Sequence, residues 1–172
     1  MTDLAVRLEQ AALRHEEEFI AAAQRSVALH APWVSAPADA SAFRGYVGSH
    51  DTTRNLGFLL FSEKNELVGV VNVSEIVRGS FQSAYLGYYV FVPHDGRGYM
   101  SAGVTAVVSF CFDTHGLHRL EANIQPGNAR SIALVERLGF RKEGYSARYL
   151  NIGGQWRDHE RWAITREERT HH

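Results

Sequence analysis

The sequence predicts a mixed fold of the α+β (mixed α/β) class, three layers deep, with helices on both faces of one sheet. Three observations carry that reading. Two early stretches space their apolar residues as helices do. An antiparallel meander of β-branched and aromatic segments follows. The second half then alternates strand, helix, strand, helix, and closes on a hairpin.

Leu4, Val6 and Leu8 alternate with polar neighbours and mark a short first strand. Residues 11–29 read as one helix whose apolar stripe is Leu13, Ile20, Ala23 and Val27; Pro32 ends it. Pro37-Ala38-Asp39 opens a second helix reaching Gly48, with Phe43, Tyr46 and Val47 inward. Residues 56–61 and 67–76 are strands joined by the polar turn Ser62-Glu63-Lys64-Asn65-Glu66. Residues 85–92 form the next strand. From Tyr99 the period changes, and Met100, Val104, Val107, Val108 and Cys111 share a helical face that Gly116 closes. Residues 117–124 are a strand and residues 129–138 a helix, with Ile132, Val135 and Leu138 inward and Gly139 after its end. Residues 140–145 begin another strand. Residues 149–152 and 156–164 flank a Gly153-Gly154 turn as the terminal hairpin.

The 172 residues suit one domain, read as 1–168, with 169–172 a tail in which His171-His172 looks like the start of an expression tag. A net charge of −1 supplies no overall basic field for nucleic acid. No apolar run approaches the ~20 residues that span a membrane, and the N-terminal stretch lacks the apolar core of a secretory signal; the expected location is cytoplasmic. The lone Cys111 excludes an intrachain disulfide and reads as a buried small hydrophobe. His115-x-x-His118 has no nearby cysteine or third histidine, so no metal is expected.

The chemistry centres on Gly96-Arg97-Gly98, between a strand and a helix. Such a turn aims backbone N–H groups at one point, where the helix dipole also favours an anion. The same glycines could serve only a tight turn. A P-loop is excluded, because Tyr99-Met100 follows Gly98 where Lys-Ser/Thr would be needed. A dinucleotide fold is excluded by Ser101 at the third glycine position and by the turn's place behind an antiparallel meander. One strand later, Asn128 and Ser131 open a helix; they read equally as capping residues and as site residues.

The spacing from Gly96-Arg97-Gly98 to Asn128-x-x-Ser131 to Leu138-Gly139-Phe140 resembles the GNAT superfamily of acetyl-CoA-dependent N-acetyltransferases. Val77-Arg78-Gly79-Ser80-Phe81, Tyr85-Leu86-Gly87-Tyr88, Leu138-Gly139-Phe140-x-Lys142-Glu143-Gly144-Tyr145 and Gly154-Gln155-Trp156-Arg157-Asp158-His159 resemble its RimJ type, the ribosomal-protein-alanine N-acetyltransferases. The likeness runs from about Leu4 to Thr165 and is most specific in the C-terminal half. It implies a GNAT fold in which two parallel strands, residues 85–92 and 117–124, splay apart to admit acetyl-CoA. It places the pyrophosphate on Gly96, Arg97, Gly98, Tyr99 and the helix's first turn, Met100 and Ser101. The pantetheine arm would pair with the strand edge at Val90, Phe91 and Val92, with Asn128 on its amides and Ser131 near the sulfur. Three positions depart from the pattern: Pro93, Ala102 and Val135 stand where relatives often carry Gln or Arg, Glu, and a proton-donating Tyr.

The implied reaction is direct attack of an amine on the thioester. Ser131 is the expected proton donor to the leaving sulfur, and an N–H near Val90 or Phe91 the expected donor to the developing oxyanion. Glu121 is the candidate base, with Glu75 and Glu143 as other options; the plainer reading is that it pairs with Arg119 or caps a neighbour. His30, Trp33, Glu75, Tyr88 and Tyr149 are candidates for the acceptor side, though the aromatic ones could be plain core. The expected acceptor is a protein N-terminus, including that of a ribosomal protein. A small amine is the alternative, and an inactive acetyl-CoA-binding module the second. The expected assembly is a monomer or homodimer.

Overall fold

In the computed structural model, residues 4–169 are described; His171 and His172, assigned above to a tail, lie outside the described residues. The elements run β1 (Arg7–Gln10), α1 (Glu16–Arg25), α2 (Val27–His30), α3 (Ala40–Ser49), β2 (Leu56–Phe61), β3 (Leu67–Val77), β4 (Ser83–Val90), α4 (Tyr99–Ser109), β5 (Arg119–Ile124), α5 (Ala129–Arg137), β6 (Arg141–Ile152) and β7 (Gln155–Thr165). The strands form one sheet ordered β1-β2-β3-β4-β5-β7-β6, and only β4 and β5 pair in parallel. Among the described residues no helix is long and apolar enough to cross a membrane.

Period-two alternation sorts side chains to two faces of this sheet. Phe58 and Leu60 of β2, Ala84 and Leu86 of β4, Leu120, Ala122 and Ile124 of β5, and Trp162 and Ile164 of β7 pack with Val104, Val107 and Val108 of α4 and Leu134 and Val135 of α5. On the opposite face Leu59, Phe61, Val70 and Phe91 pack with Phe19, Ala22 and Ala23 of α1 and Phe43 and Tyr46 of α3. The mixed class and helices on both faces therefore stand as the sequence predicts. Cys111 is fully buried, and burial pushes its thiol up to about 12.

Four local readings are corrected. The first strand begins at Arg7, so Leu4 and Val6 precede it. The early helix is not continuous: a short turn over Leu13–His15 leads into α1, and a bend at Ser26 separates α1 from α2. Its inner stripe is Phe19, Ala22, Ala23, Ser26 and His30, while Leu13 and Val27 are each 59% exposed. Ser26 causes the bend, because its hydroxyl donates to the Ala22 carbonyl at 2.7 Å, a back-bond that bends helices. Residues 141–152 form one strand, not two; its register against β7 slips between Ser146 and Leu150, where Arg148 adopts φ 48°.

Gly103 sets the depth of α4 on the sheet. It is buried on the helix underside, and a Cβ there would collide with the Leu60 side chain, itself fully buried. Gly103→Val is expected to lower stability by about 2 kcal/mol through overpacking, read as a reduced urea midpoint with an unchanged slope.

Candidate functional site

β4 and β5 begin as a ladder and then part. Four pairs join them, from Ser83↔Arg119 to Leu86↔Ala122, and none follows. Each strand stays paired on its outer side: β4 with β3 as far as Gly69↔Val90, and β5 with β7 as far as Ile124↔Glu160. The gap widens into a cavity of ≈ 550 Å³ that includes Gly87, Tyr88, Val90, Asn123, Asn128 and His159 in its walls.

The end of β4 is held by α1 and α2. His30 Nε2 donates to the Val90 carbonyl at 2.8 Å. The Val92 N–H donates to Ser26 Oγ at 3.0 Å, and Arg25 Nε donates to the Val92 carbonyl at 2.7 Å. The Phe91 N–H goes to the Val68 carbonyl on β3 at 2.9 Å. Of the three strand-edge positions expected to serve a ligand, Phe91 and Val92 thus have their N–H groups engaged. Alternation turns the N–H groups of Val90 and Tyr88 away from β3, toward the gap.

Beyond β4, Gly96 and Gly98 take φ 70° and 88°, the left-handed region that glycine enters without strain. Gly98 is the N-cap of α4 and offers no side chain to cap it. The first turn bond runs from the Ala102 N–H to the Gly98 carbonyl at 3.1 Å. No acceptor among the described residues takes the N–H groups of Gly96, Arg97, Gly98, Tyr99, Met100 or Ser101. These donors and the dipole of an 11-residue helix make a fitting cradle for a diphosphate.

On the α4–α5 face, Asn128 does cap α5: its Oδ1 accepts the Ser131 N–H at 3.3 Å. That leaves its Nδ2 for a ligand carbonyl. Ser131 Oγ lies 2.7 Å from the Tyr88 hydroxyl. Burial pushes the Tyr88 phenol up to about 12, against the weaker opposite pull of Ser131, so it keeps its proton at neutral pH. The pair joins two residues that the sequence reading had placed apart, Ser131 as a proton donor and Tyr88 on the acceptor side.

The three candidate bases stand away from the gap. Glu121 pairs with Tyr85 in the closed part of the ladder, and its Oε1 accepts from Arg119 Nε and Nη2 at 3.0 and 2.9 Å. Glu143 joins the same Arg119 and also Arg141, which hold its carboxyl at about 2. Glu75 pairs with Arg54. Neither Glu121, Glu75 nor Glu143 lines the cavity. Trp33 and His30 do, and burial lowers the His30 pKa so that its ring is neutral. Tyr149 does not line the cavity, and its ring is 6.2 Å from that of His159. His159 itself is 3% exposed and was not singled out from sequence. Its only sequence signal was a place in the string Gly154-Gln155-Trp156-Arg157-Asp158-His159. A second cavity of ≈ 330 Å³, bounded by Trp33, Gln125, Trp156 and Asp158, opens beside the first.

A sheet split between two parallel strands, with a glycine turn feeding the helix above the split, is the frame of an acyltransferase domain of the GNAT type. The chain matches the Acetyltransferase (GNAT) domain model over residues 6–141 and belongs to that family. It is 47% identical over 103 residues to the [Ribosomal protein uS5]-alanine N-acetyltransferase of Escherichia coli (strain K12), a match covering 60% of this chain and 53% of that protein. The matched stretch thus spans about half the length of these curated relatives. The structure superposes on Mycobacterium smegmatis RimJ, solved in complex with CoA-disulfide, with a TM-score of 0.88 and 28% identity over 95% of this chain and 83% of that one. A ribosomal-protein-S5-alanine acetyltransferase from Vibrio fischeri shares the fold, with a TM-score of 0.82 at 23% identity over 96% of both chains.

Ser26→Ala removes the acceptor of the Val92 N–H, and an unpaired donor at this depth costs about 1–3 kcal/mol. The expected result is that loss of stability together with faster amide hydrogen exchange at Val92; unchanged exchange there would show that the bond does not hold β4.

Proposed function

We propose that this chain is an acetyl-CoA-dependent N-acetyltransferase whose acceptor is a protein N-terminal α-amine, of the ribosomal-protein-alanine kind. The observation that carries the reading is the Ser131–Tyr88 hydroxyl pair set beside the split between β4 and β5. The likeness to the uS5-alanine acetyltransferase supports the acceptor class, and the likeness to a RimJ that binds a CoA derivative supports the cosubstrate. The cavity flanked by Trp33 and Trp156 leaves room for the residues that follow an N-terminal amine.

Acetyl-CoA supplies an activated acetyl group when bound; this chain's residues do the rest. The N–H groups from Gly96 to Ser101 hold the diphosphate. Tyr88 offers its backbone groups to the pantetheine amides, and Asn128 Nδ2 donates to one of their carbonyls. The Val90 N–H is the remaining strand-edge donor for charge that develops on the thioester oxygen. The Tyr88 hydroxyl donates to Ser131 Oγ, which frees the Ser131 proton for the departing sulfur. An N-terminal amine, ordinarily near ~8, loses its proton far more readily than a lysine near ~10.4. That difference favours an α-amine at a cavity whose described wall carries no carboxylate.

Ser131→Ala is expected to lower kcat about 100-fold, within the range of a lost proton donor, with acetyl-CoA affinity by calorimetry within about twofold. Tyr88→Phe is expected to lower kcat less, and the double variant to lose no more than Ser131→Ala. Additive losses would mean that the hydroxyls act separately.

The function itself is tested by thiol release from acetyl-CoA with Ala-initiated peptides and, in parallel, polyamines and amino-acid conjugates, with mass detection of the product. Peptide turnover alone supports the reading. Turnover of small amines alone moves the acceptor to that class. Tight binding of CoA with no turnover of any amine points to a silent binding module.

A further inference from the structure

We propose that His159 is the general base that takes the proton from the acceptor amine; the inference rests on the acetyltransferase reading above. The cavity wall contains no aspartate or glutamate among the described residues. Its titratable groups are His30, Tyr88, Tyr89, Arg130 and His159. The tyrosines stay protonated, because burial raises both, and an arginine cannot accept a proton. His30 already spends Nε2–H on the Val90 carbonyl, and burial weakens it as a base.

His159 is arranged differently. Its Nδ1 lies 2.9 Å from the Arg157 carbonyl. A carbonyl only accepts, so Nδ1 carries the hydrogen and the neutral ring keeps its lone pair on Nε2. Among the described residues no other group bonds Nε2, and the residue lines the cavity. Beside it Asn123, whose register partner on β7 is Arg161, keeps a buried Oδ1 with no hydrogen-bond partner. That acceptor suits a second N–H of the amine. The groups that face His159 are Tyr149 from β6, Asn123 from β5, and Arg157 and Arg161 along β7; Asp158, its chain neighbour, is engaged by Tyr145 and the Arg148 N–H.

Position on the sheet supports the role. Glu160 and Trp162 of β7 share the face of Ile124 and Ala122, which α4 and α5 cover; His159 and Asn123 therefore fall on the other face. Ser131 and Tyr88 lie on the α4–α5 side. The amine would be deprotonated on one side of the split and the sulfur protonated on the other. An α-ammonium loses two protons in the reaction. One passes to His159 Nε2 and on to solvent; the second balances the proton that Ser131 gives to sulfur as the C–N bond forms and the C–S bond breaks.

His159→Asn is the decisive variant, because its side-chain N–H can replace Nδ1–H toward the Arg157 carbonyl while the Nε2 lone pair is lost. The expected outcome is a fall in kcat of about 100-fold, acetyl-CoA affinity by calorimetry within about twofold, and a kcat that keeps climbing with pH where the wild type has levelled off. Added imidazole is expected to restore part of the rate in His159→Ala. A wild type that acetylates peptides while His159→Asn matches it in kcat and pH profile overturns this inference alone. So does a pH limb that persists in His159→Asn and vanishes in His30→Gln. A wild type that acetylates no amine overturns the acetyltransferase reading and this inference with it.

Discussion

The architecture of the site depends on who satisfies the inner edge of β4. A strand edge that leaves a ladder exposes N–H and C=O groups that must find partners. β5 provides them as far as Leu86, then departs with β7. From Val90 on, the α1–α2 bend takes over: His30 serves the Val90 carbonyl, Ser26 the Val92 N–H and Arg25 the Val92 carbonyl. These three bonds make an open edge tolerable.

That arrangement also orients the chemistry. Because Tyr88 and Tyr89 alternate, one ring goes to the α4–α5 face beside Ser131 and the other to the α1–α3 face, where His30 packs on it with centroids 5.0 Å apart. The gap therefore has a hydroxyl side and an imidazole side. Both helices that deliver site residues start beside it. α4 leaves its first N–H groups uncapped, whereas α5 is capped by Asn128. The difference is physical: a cap on α4 would compete with an anion for the same donors, while the cap on α5 fixes Ser131 in place.

Sequence reading reached the parts of this site that are local. Positive-φ glycines before a helix and an Asn N-cap three residues before Ser131 are written in adjacent residues, and both are where they were expected. The capping and functional readings of Asn128 turn out to be compatible, since capping uses Oδ1 and leaves Nδ2. The Arg119–Glu121 pair was also legible, because residues two apart share a strand face. The bend at Ser26 was harder to see. A serine inside an amphipathic stripe reads as a tolerated polar residue until its second partner, Val92, 66 positions away, is known. His159 was invisible for the same reason: a histidine in a charged hairpin becomes a directed lone pair only when the fold buries it and Arg157 selects its tautomer.

The distribution of charge along the split fits the amine chemistry proposed above. At the closed end, Arg119 gathers Glu121 and Glu143, and the ladder is locked by charge-assisted bonds. At the open end the wall carries Tyr88, Asn123, Asn128, His30, His159 and the cationic Arg130, and no carboxylate among the described residues. A carboxylate at that end would stabilise the ammonium form and raise its pKa, opposing the neutral amine that has to attack. A carboxyl held at about 2, as Glu143 is, would also be a feeble base, since proton transfer is most effective when the base titrates near the working pH. Moving the acids into the ladder keeps both their charge and their weak basicity away from the mouth. The ion pairs keep the strands together where they must be closed, and the amine meets a base that does not hold it in its charged form.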